Sequence, residues 1–297
     1  MYDVIIIGAG PAGLTAAIYA KRAMLNVLVF EDKNVGGQIL STYEIDNYPG
    51  MPGIGGMELG EKIKNHAKGM EIEIVDETVT SIEVSENSKI VHTNHASYET
   101  KNVILATGAS HAKLGIERED ELIGAGISYC ATCDGAFYKG ADVAVVGGGD
   151  VAAEDAIYLS NICRKVYLIH RRDELRANKA LCKKLEQCPN IEILWNTRVT
   201  SLNGEDELES VEITNDKNNT VDTLEIEGLF VAIGIVPQTG LVENLVELDD
   251  RGYVIAGEDC ATNISGIFAA GDIRKKRLRQ IVTAVADGAN AVDALQI

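Results

Sequence analysis

Positive charge is scarce in this 297-residue chain, which has 27 Lys and Arg against 45 Asp and Glu and a formal net charge of -18. Phosphate backbones and acidic membrane surfaces attract proteins through Lys and Arg, so this balance argues against both as bulk partners. Long apolar runs are also lacking, because no stretch of the sequence reaches the 18 apolar residues that can span a bilayer. The composition therefore disfavours nucleic-acid binding and membrane insertion.

Cysteine is too sparse for a secreted disulfide scaffold, with six in the whole chain. The apolar stretch at residues 4–20 contains three glycines and follows no basic segment, so we interpret it as a strand and a helix rather than a signal peptide. We therefore expect a cytoplasmic protein. The length is about twice the usual 150 residues of one domain and predicts two domains of ordinary globular composition.

Two similar stretches, residues 4–19 and 143–158, organise the chain. Each has a four-residue apolar run, a glycine turn and an Ala-rich helical segment, which is the pattern of a dinucleotide-binding turn. The candidate residues are Gly8, Gly10, Pro11, Ala12 and Gly13 in the first stretch, and Gly147, Gly149, Asp150, Val151, Ala152 and Glu154 in the second. Such glycines allow a tight turn, a close approach of backbone N–H groups to a pyrophosphate, and helix–strand packing. The alternative is that these small residues serve packing alone.

The end of the next strand distinguishes the two nucleotides. Glu31, followed by Asp32, ends the strand after the first turn and suits a free ribose hydroxyl. After the second turn the corresponding position is His170, and Arg171, Arg172 and Arg176 follow it. Guanidinium groups bind phosphate oxygens in pairs, so this site favours the 2'-phosphate of NADPH over NADH. A basic patch on a solvated helix start is the alternative.

Two further strands lie outside the second nucleotide unit. The residues at their ends lead us to assign the first turn to FAD. These residues are Ala106, Thr107 and Gly108 from one strand and Gly271 and Asp272 from another, while Gly234 follows a strand within the second unit. The sequence therefore predicts an α/β fold of two Rossmann-like dinucleotide-binding domains, the second inserted into the first. The FAD-binding domain comprises residues 1–112 and 242–297, and the NADPH-binding domain, residues 113–241, carries the dithiol described next.

The remaining motif is Cys130-Ala-Thr-Cys133-Asp134. Pairs with this spacing often stabilise a reactive thiolate, and Asp134 could supply a proton to the thiolate that leaves during exchange. A zinc site is a weaker interpretation because no second Cys-x-x-Cys completes four ligands, and a purely structural disulfide is a further alternative. Ala136, Phe137 and Tyr138 could be docking surface or core.

Six motifs together resemble the low-molecular-weight, bacterial-type NADPH thioredoxin reductases. They are Gly8-x-Gly10-x-x-Gly13, Gly36-Gly37-Gln38, Cys130-Ala-Thr-Cys133-Asp134-Gly, Gly147-x-Gly149-x-x-Ala152, His170-Arg171-Arg172 and Gly266-Ile-Phe-Ala-Ala-Gly271-Asp272. The resemblance spans the chain. It implies a homodimer that passes electrons from NADPH through FAD and the dithiol to the disulfide of thioredoxin. It also implies that Asp134 is the acid and that the flavin is bordered by Gly36, Gly37, Gln38, Asn47, Asp272, Arg279, Gln280 and the following Ile281.

Two departures from the family pattern concern the acceptor and the second turn. Ala125 stands five positions before Cys130, where a basic residue often helps dock thioredoxin, and Val151 replaces a common hydroxyl residue. The alternative partner is therefore a peroxidase-type or other thioredoxin-like protein. The basic run at residues 274–279 is interpreted as either a solvated loop or a patch that attracts an acidic partner.

Overall fold

The computed structural model describes residues 1–42, 45, 47–85 and 88–295. Contacts divide the chain into two compact units, one formed by Met1–Ser110 and Val236–Ile297 and the other by His111–Ile235. The sequence placed the limits of the inserted domain at residues 113 and 241. Within the described part of the chain, no helix combines the length and apolarity that a bilayer crossing requires.

The first unit begins with alternating strands and helices. Its elements up to the insertion are β1 (Tyr2–Ile7), α1 (Pro11–Arg22), β2 (Val27–Phe30), α2 (Gly56–Gly69), β3 (Glu73–Val75), β4 (Val79–Val84), β5 (Lys89–Thr93), β6 (Ser97–Leu105) and β7 (Ala109–His111). The inserted unit contains β8 (Ile127–Ser128), α3 (Ala131–Asp134), β9 (Asp142–Gly147), α4 (Asp150–Ser160), β10 (Lys165–His170), α5 (Lys179–Leu185), β11 (Ile191–Trp195), β12 (Thr197–Asn203), β13 (Ser210–Asn215), β14 (Thr220–Glu225) and β15 (Gly228–Ala232). The chain then forms β16 (Ile235–Pro237), β17 (Ile267–Ala269) and α6 (Ile281–Asp293).

The first unit is built on a seven-stranded sheet. Its strand order is β3-β2-β1-β6-β5-β4, and β17 pairs with β6. The strands β1, β2, β3, β6 and β17 are parallel, whereas β4 and β5 join in antiparallel pairing. Helix α6 approaches α1 so closely that a Cβ on Gly288 would meet the carbonyl oxygen of Ala12. The C-terminal segment therefore supplies both a strand and a covering helix to this unit.

The inserted unit repeats the parallel pattern in a smaller sheet. Strands β11, β10, β9, β15 and β8 lie in that order and all pair in parallel. A separate antiparallel sheet contains β12, β13 and β14. The apolar runs that begin the two similar stretches, residues 4–7 and 143–146, are buried. The predicted α/β class, with one parallel unit inserted into another, is confirmed.

A buried charge cluster lies between the end of β17 and helix α6. The Asp287 carboxylate is 3% exposed and accepts hydrogen bonds from Arg274 at 2.6 and 2.8 Å, from Lys276 at 3.1 Å and from the Gly271 N–H at 2.9 Å. Burial alone would raise the pKa of Asp287, but Arg274 and Lys276 outweigh it and hold the pKa below its ordinary value. The carboxylate therefore fixes the turn after β17 to α6.

This cluster corrects the interpretation of the basic run at residues 274–279 for Arg274 and Lys276, while Lys275 and Arg277 are exposed. The Arg274 and Lys276 side chains are only 12% and 7% exposed and are paired internally, so neither is part of a solvated loop or a patch for an acidic partner. Arg279 lies over the ring of Tyr253, with its guanidinium carbon 3.8 Å from the ring centroid. The sequence could not reveal the burial of Arg274 and Lys276, because Asp287, which neutralises them, is 13 and 11 positions further along the chain.

Replacing Asp287 with Ala removes the carboxylate that Arg274 shares with Lys276. We expect the free energy of unfolding to fall by about 3–5 kcal/mol, because a buried cation loses its partner. Urea unfolding measures the change. The matched control is Asp216→Ala, which breaks the exposed pair with Arg198 and should lower the free energy of unfolding far less, because solvent screens that pair. Equal losses in the two variants would contradict the assignment.

Candidate active site

Cys130 and Cys133 form a disulfide, and their Cα atoms are 5.3 Å apart. Cys130 is the residue before α3, which is only four residues long. Its carbonyl oxygen accepts the N–H groups of Cys133 at 3.2 Å and Asp134 at 3.1 Å. One carbonyl therefore closes the turn that carries both sulfurs, and both cysteines are half-buried rather than enclosed. The sequence-predicted Asp134 lies in the same turn.

Ser128 is a part of this site that sequence reasoning missed. Its side chain is buried, and its hydroxyl donates to Asp134 Oδ2 at 2.6 Å while it accepts the Cys130 N–H at 3.0 Å. The hydroxyl is also 3.3 Å from the Cys130 carbonyl oxygen. The only signal in the sequence was a hydroxyl residue two positions before the first cysteine. The structure thus joins a carboxylate to the backbone of the dithiol through one oxygen atom.

The apolar residues after the dithiol divide between surface and core. Phe137 is 63% exposed, whereas Tyr138 packs edge-on against Phe230 with a centroid distance of 5.3 Å. Ala125 is half-buried, and its backbone pairs with Leu122 and Leu208. Ala136 and Phe137 are therefore exposed three and four positions after Cys133, whereas Tyr138 packs against the core.

The first glycine turn joins β1 to α1. Gly8 has φ = 105°, a Cβ there would meet the Ala106 carbonyl, and a Cβ on Gly13 would meet the carbonyl oxygen of Gly8. The Glu31 carboxylate accepts the Ala9 N–H at 2.7 Å, which places it at the mouth of the turn. Gly10, Pro11 and Ala12 lie at the start of α1, Ala106, Thr107 and Gly108 follow β6, and Asp32 is exposed after Glu31. The turn itself is therefore packed too closely for larger residues.

The predicted flavin-bordering residues come from distant parts of this unit. Asn47 Nδ2 donates to Gln280 Oε1 at 2.8 Å, and Gln280 caps α6, which begins at Ile281. The Gly36 N–H donates to the Ala9 carbonyl at 2.8 Å, so residues 36 and 37 lie beside the glycine turn, and Gln38 follows on a short 3-10 helix. Chain segments around residues 9, 36, 47, 272 and 280 thus belong to one unit.

Two buried polar atoms in this set are without hydrogen-bond partners among the described residues. Asp272 Oδ1 has none, although Lys276 Nζ lies 3.3 Å away as an ion pair, and the second atom is Arg279 Nε. Burial raises the pKa of Asp272 despite the opposing charge of Lys276. Polar atoms buried in this way are normally satisfied, so a ligand with hydroxyl and ring hydrogen-bonding groups fits these residues.

The second glycine turn joins β9 to α4 and is covered by the segment after β10. A Cβ on Gly148 would overlap the imidazole of His170, and the Arg176 N–H donates to the Gly148 carbonyl at 2.7 Å. Ala152 packs under Gly147, with its Cβ 2.6 Å from where a Cβ on Gly147 would lie. These contacts hold the segment at residues 170–176 on the turn.

Three exposed arginines extend from that segment. Arg171, Arg172 and Arg176 are solvent-exposed, and none of their guanidinium groups forms an ion pair within the part of the chain that the structure describes. Asp150 accepts the Asn178 N–H at 2.7 Å, and Val151 is 60% exposed. The other predicted residues, Gly149, Glu154 and Gly234, lie at the turn, on α4 and after β15. The exposed guanidinium groups are available to an anionic ligand.

Residues 2–288 match the sequence profile of the pyridine nucleotide-disulphide oxidoreductase family. The chain is 44% identical to the thioredoxin reductase of Treponema pallidum (strain Nichols) over 294 residues, which covers 99% of this chain and 95% of that protein.

Two solved structures are informative. The thioredoxin reductase of Streptococcus pyogenes MGAS5005 superposes with a TM-score of 0.85 at 44% identity, covering 99% of this chain and 97% of that one. A ferredoxin-flavin thioredoxin reductase of Clostridium acetobutylicum has a TM-score of 0.54 at 34% identity, with the same coverage. Similar folds therefore occur in reductases whose names differ in the electron donor.

Burial keeps the His170 imidazole neutral near pH 7, because it lowers the pKa below the ordinary value of 6.5 and outweighs hydrogen bonds to backbone carbonyls. We expect the imidazole to titrate below pH 6.5, so that the arginines alone supply positive charge beside the second turn. Proton NMR titration measures this, with the resonance assigned by the His170→Gln variant. A midpoint at or above pH 6.5 would contradict the expectation.

Proposed function

The chain belongs to the pyridine nucleotide-disulphide oxidoreductase family, and we propose that it is the thioredoxin reductase that its relatives' names suggest. In this role it transfers electrons from NADPH through FAD and the Cys130–Cys133 pair to the disulfide of thioredoxin. The observation that carries the proposal is the disulfide itself, which lies in the same unit as a glycine turn with three exposed arginines. That combination provides an electron donor site and a redox-active acceptor in one chain.

The exposed arginines support NADPH as the nucleotide of the inserted unit. A 2'-phosphate carries negative charge that Arg171, Arg172 and Arg176 can bind through paired N–H groups. A carboxylate at the end of β10 would repel this phosphate, but the residue there is His170, which packs on Gly148. The glycine turn offers backbone N–H groups at the start of α4 to the pyrophosphate. The arginines, and a histidine rather than a carboxylate at the end of β10, therefore support NADPH over NADH.

The other unit fits FAD. Glu31 at the first glycine turn would accept hydrogen bonds from the adenosine ribose, and the turn's backbone would approach the pyrophosphate. Asp272 and Arg279 carry buried polar atoms that flavin-side groups would satisfy, and Asn47 and Gln280 already face each other at 2.8 Å. When bound, the flavin supplies a two-electron carrier between a hydride donor and a disulfide.

The dithiol chemistry follows from the turn that holds it. Two electrons break the Cys130–Cys133 S–S bond, and the thiolate that leaves takes a proton from Asp134. The reduced pair then attacks the partner's disulfide, forms a mixed disulfide and closes again, so that two electrons leave with the partner's dithiol. Half-burial of both cysteines leaves them within reach of a protein substrate.

The acceptor is thioredoxin, and a different thioredoxin-like protein is the alternative. Phe137, 63% exposed and four positions after Cys133, offers an apolar contact to either. Ala125 lacks the positive charge that often helps dock thioredoxin, which favours testing peroxidase-type and other thioredoxin-like acceptors as well. We also propose a cytoplasmic homodimer, because the family resemblance implies one.

The first test measures electron transfer directly. Purified holoenzyme should oxidise NADPH and reduce thioredoxin, and anaerobic NADPH should reduce the flavin and yield two thiols from the cysteine pair. The Cys133→Ser variant should keep flavin reduction and lose thioredoxin reduction by at least about 10³-fold, since no disulfide can form. Stopped-flow absorbance and thiol titration give both values. Reduction of the flavin by ferredoxin but not by NADPH would contradict NADPH as the electron donor. Electron transfer to another thioredoxin-like protein but not to thioredoxin would favour the alternative acceptor.

The second test examines nucleotide preference. Replacing Arg171 and Arg172 together with Ala should raise the KM for NADPH about 10–100-fold, since hydrogen bonds to a charged phosphate are lost, and should leave kcat/KM for NADH within about twofold. The control Arg22→Ala/Arg251→Ala removes the same charge from the surface of the other unit. Steady-state kinetics with both nucleotides measures the preference. An unchanged ratio in the first variant would exclude the phosphate contact.

A further inference from the structure

Ser128 is held more firmly than the acidic residue that it contacts. It ends β8, which pairs in parallel with the inner strand β15 through Ile127↔Leu229 and Ser128↔Phe230. Phe230 is 1% exposed and belongs to the core of the inserted unit. Asp134, by contrast, ends a four-residue helix, and a helix this short has little stability of its own. The sheet therefore fixes the hydroxyl, and the hydroxyl can fix the carboxylate.

The contacts of the two Asp134 oxygens differ. Oδ2 accepts the Ser128 hydroxyl at 2.6 Å, whereas Oδ1 receives no hydrogen bond from the residues described. A hydroxyl has one proton, so Ser128 donates it to Asp134 and uses an oxygen lone pair to accept the Cys130 N–H at 3.0 Å. The same oxygen atom therefore orients the carboxylate and the backbone of the first cysteine. Oδ1 is left as the oxygen that can carry a proton.

We propose that Ser128 is a positioning residue that directs Asp134 Oδ1 to protonate the thiolate leaving when the Cys130–Cys133 bond opens. This deepens the proposed function and rests on it, since Asp134 is the acid there. The S–S bond breaks as two electrons enter, the proton on Oδ1 passes to the leaving sulfur, and Oδ2 keeps the hydroxyl's hydrogen bond. The carboxylate formed by this transfer retains a donor, which stabilises its charge.

Isosteric variants separate the hydroxyl from the shape of the side chain. Ser128→Thr keeps the hydroxyl. Ser128→Val has the same shape as the Thr variant but lacks the hydroxyl. We expect opening of the disulfide by dithiothreitol in the holoenzyme to slow about tenfold in the Val variant and to stay within about twofold of wild type in the Thr variant, since one hydrogen bond to a charged group is lost. Alkylation and mass spectrometry of the two cysteines measure the rate. Equal rates for the Thr and Val variants would overturn the proposal.

A double-mutant cycle tests whether Ser128 acts through Asp134. In the Asp134→Asn background, Ser128→Val should slow the exchange less than about twofold further, because its effect has already been removed. Independent, multiplicative losses would overturn the proposal. The control Ser210→Ala removes another buried hydroxyl of the same unit and should leave the rate unchanged.

These measurements use neither NADPH nor thioredoxin. A holoenzyme that failed to reduce thioredoxin would overturn the proposed function while the cycle still reported on Ser128. Conversely, normal thioredoxin reduction together with independent losses of rate in the double-mutant cycle would overturn only the proposed role of Ser128.

Discussion

Close backbone packing at the two glycine turns is the constraint on which the rest of the molecule depends. A side chain at Gly8, Gly13, Gly147 or Gly148 would meet a carbonyl, a Cβ or an imidazole. Because these positions have no side chain, each strand passes directly into a helix that begins at the carboxyl edge of a parallel sheet. The carboxylate of Glu31 and the arginines after His170 are positioned relative to these turns. The nucleotide preference proposed for each unit thus depends on tight packing a few residues away.

The Asp287 cluster shows how buried charge supports the same architecture. Asp287 is buried on α6, yet it binds two cations and the Gly271 N–H, so its desolvation is offset by several contacts at once. The turn that contains Asp272 is thereby tied to the helix that Gln280 caps. The positions of Asp272 and Gln280, which are proposed to face the flavin, therefore depend on the carboxylate of Asp287, which is not itself proposed to do so.

Local patterns predicted much of the fold and part of the candidate site. Apolar runs and glycine turns predicted the parallel strands, and the insertion followed from the order of the motifs. Contacts between distant residues were not predictable: Asn47 and Gln280 are 233 positions apart, and the partner of Arg274 is 13 positions along the chain. Ser128 is local but was missed, since a serine near a dithiol has no distinctive spacing. Sequence periodicity reports which face is buried, whereas side-chain hydrogen bonds depend on how elements meet in space.

The discontinuous sheet of the first unit also determines the order in which the two units can be completed during translation. Strand β17 pairs with β6 and α6 covers α1, so this unit lacks a strand and a helix until residues 267–293 have been translated. All strands of the inserted unit's parallel sheet lie between residues 127 and 232 and are available earlier. The strands of the inserted unit's parallel sheet are therefore all synthesised while residues 103–105 of β6 still lack the strand that pairs with them. Unpaired strand segments favour association with other chains, so this stretch is the part of the sheet most in need of its C-terminal partner.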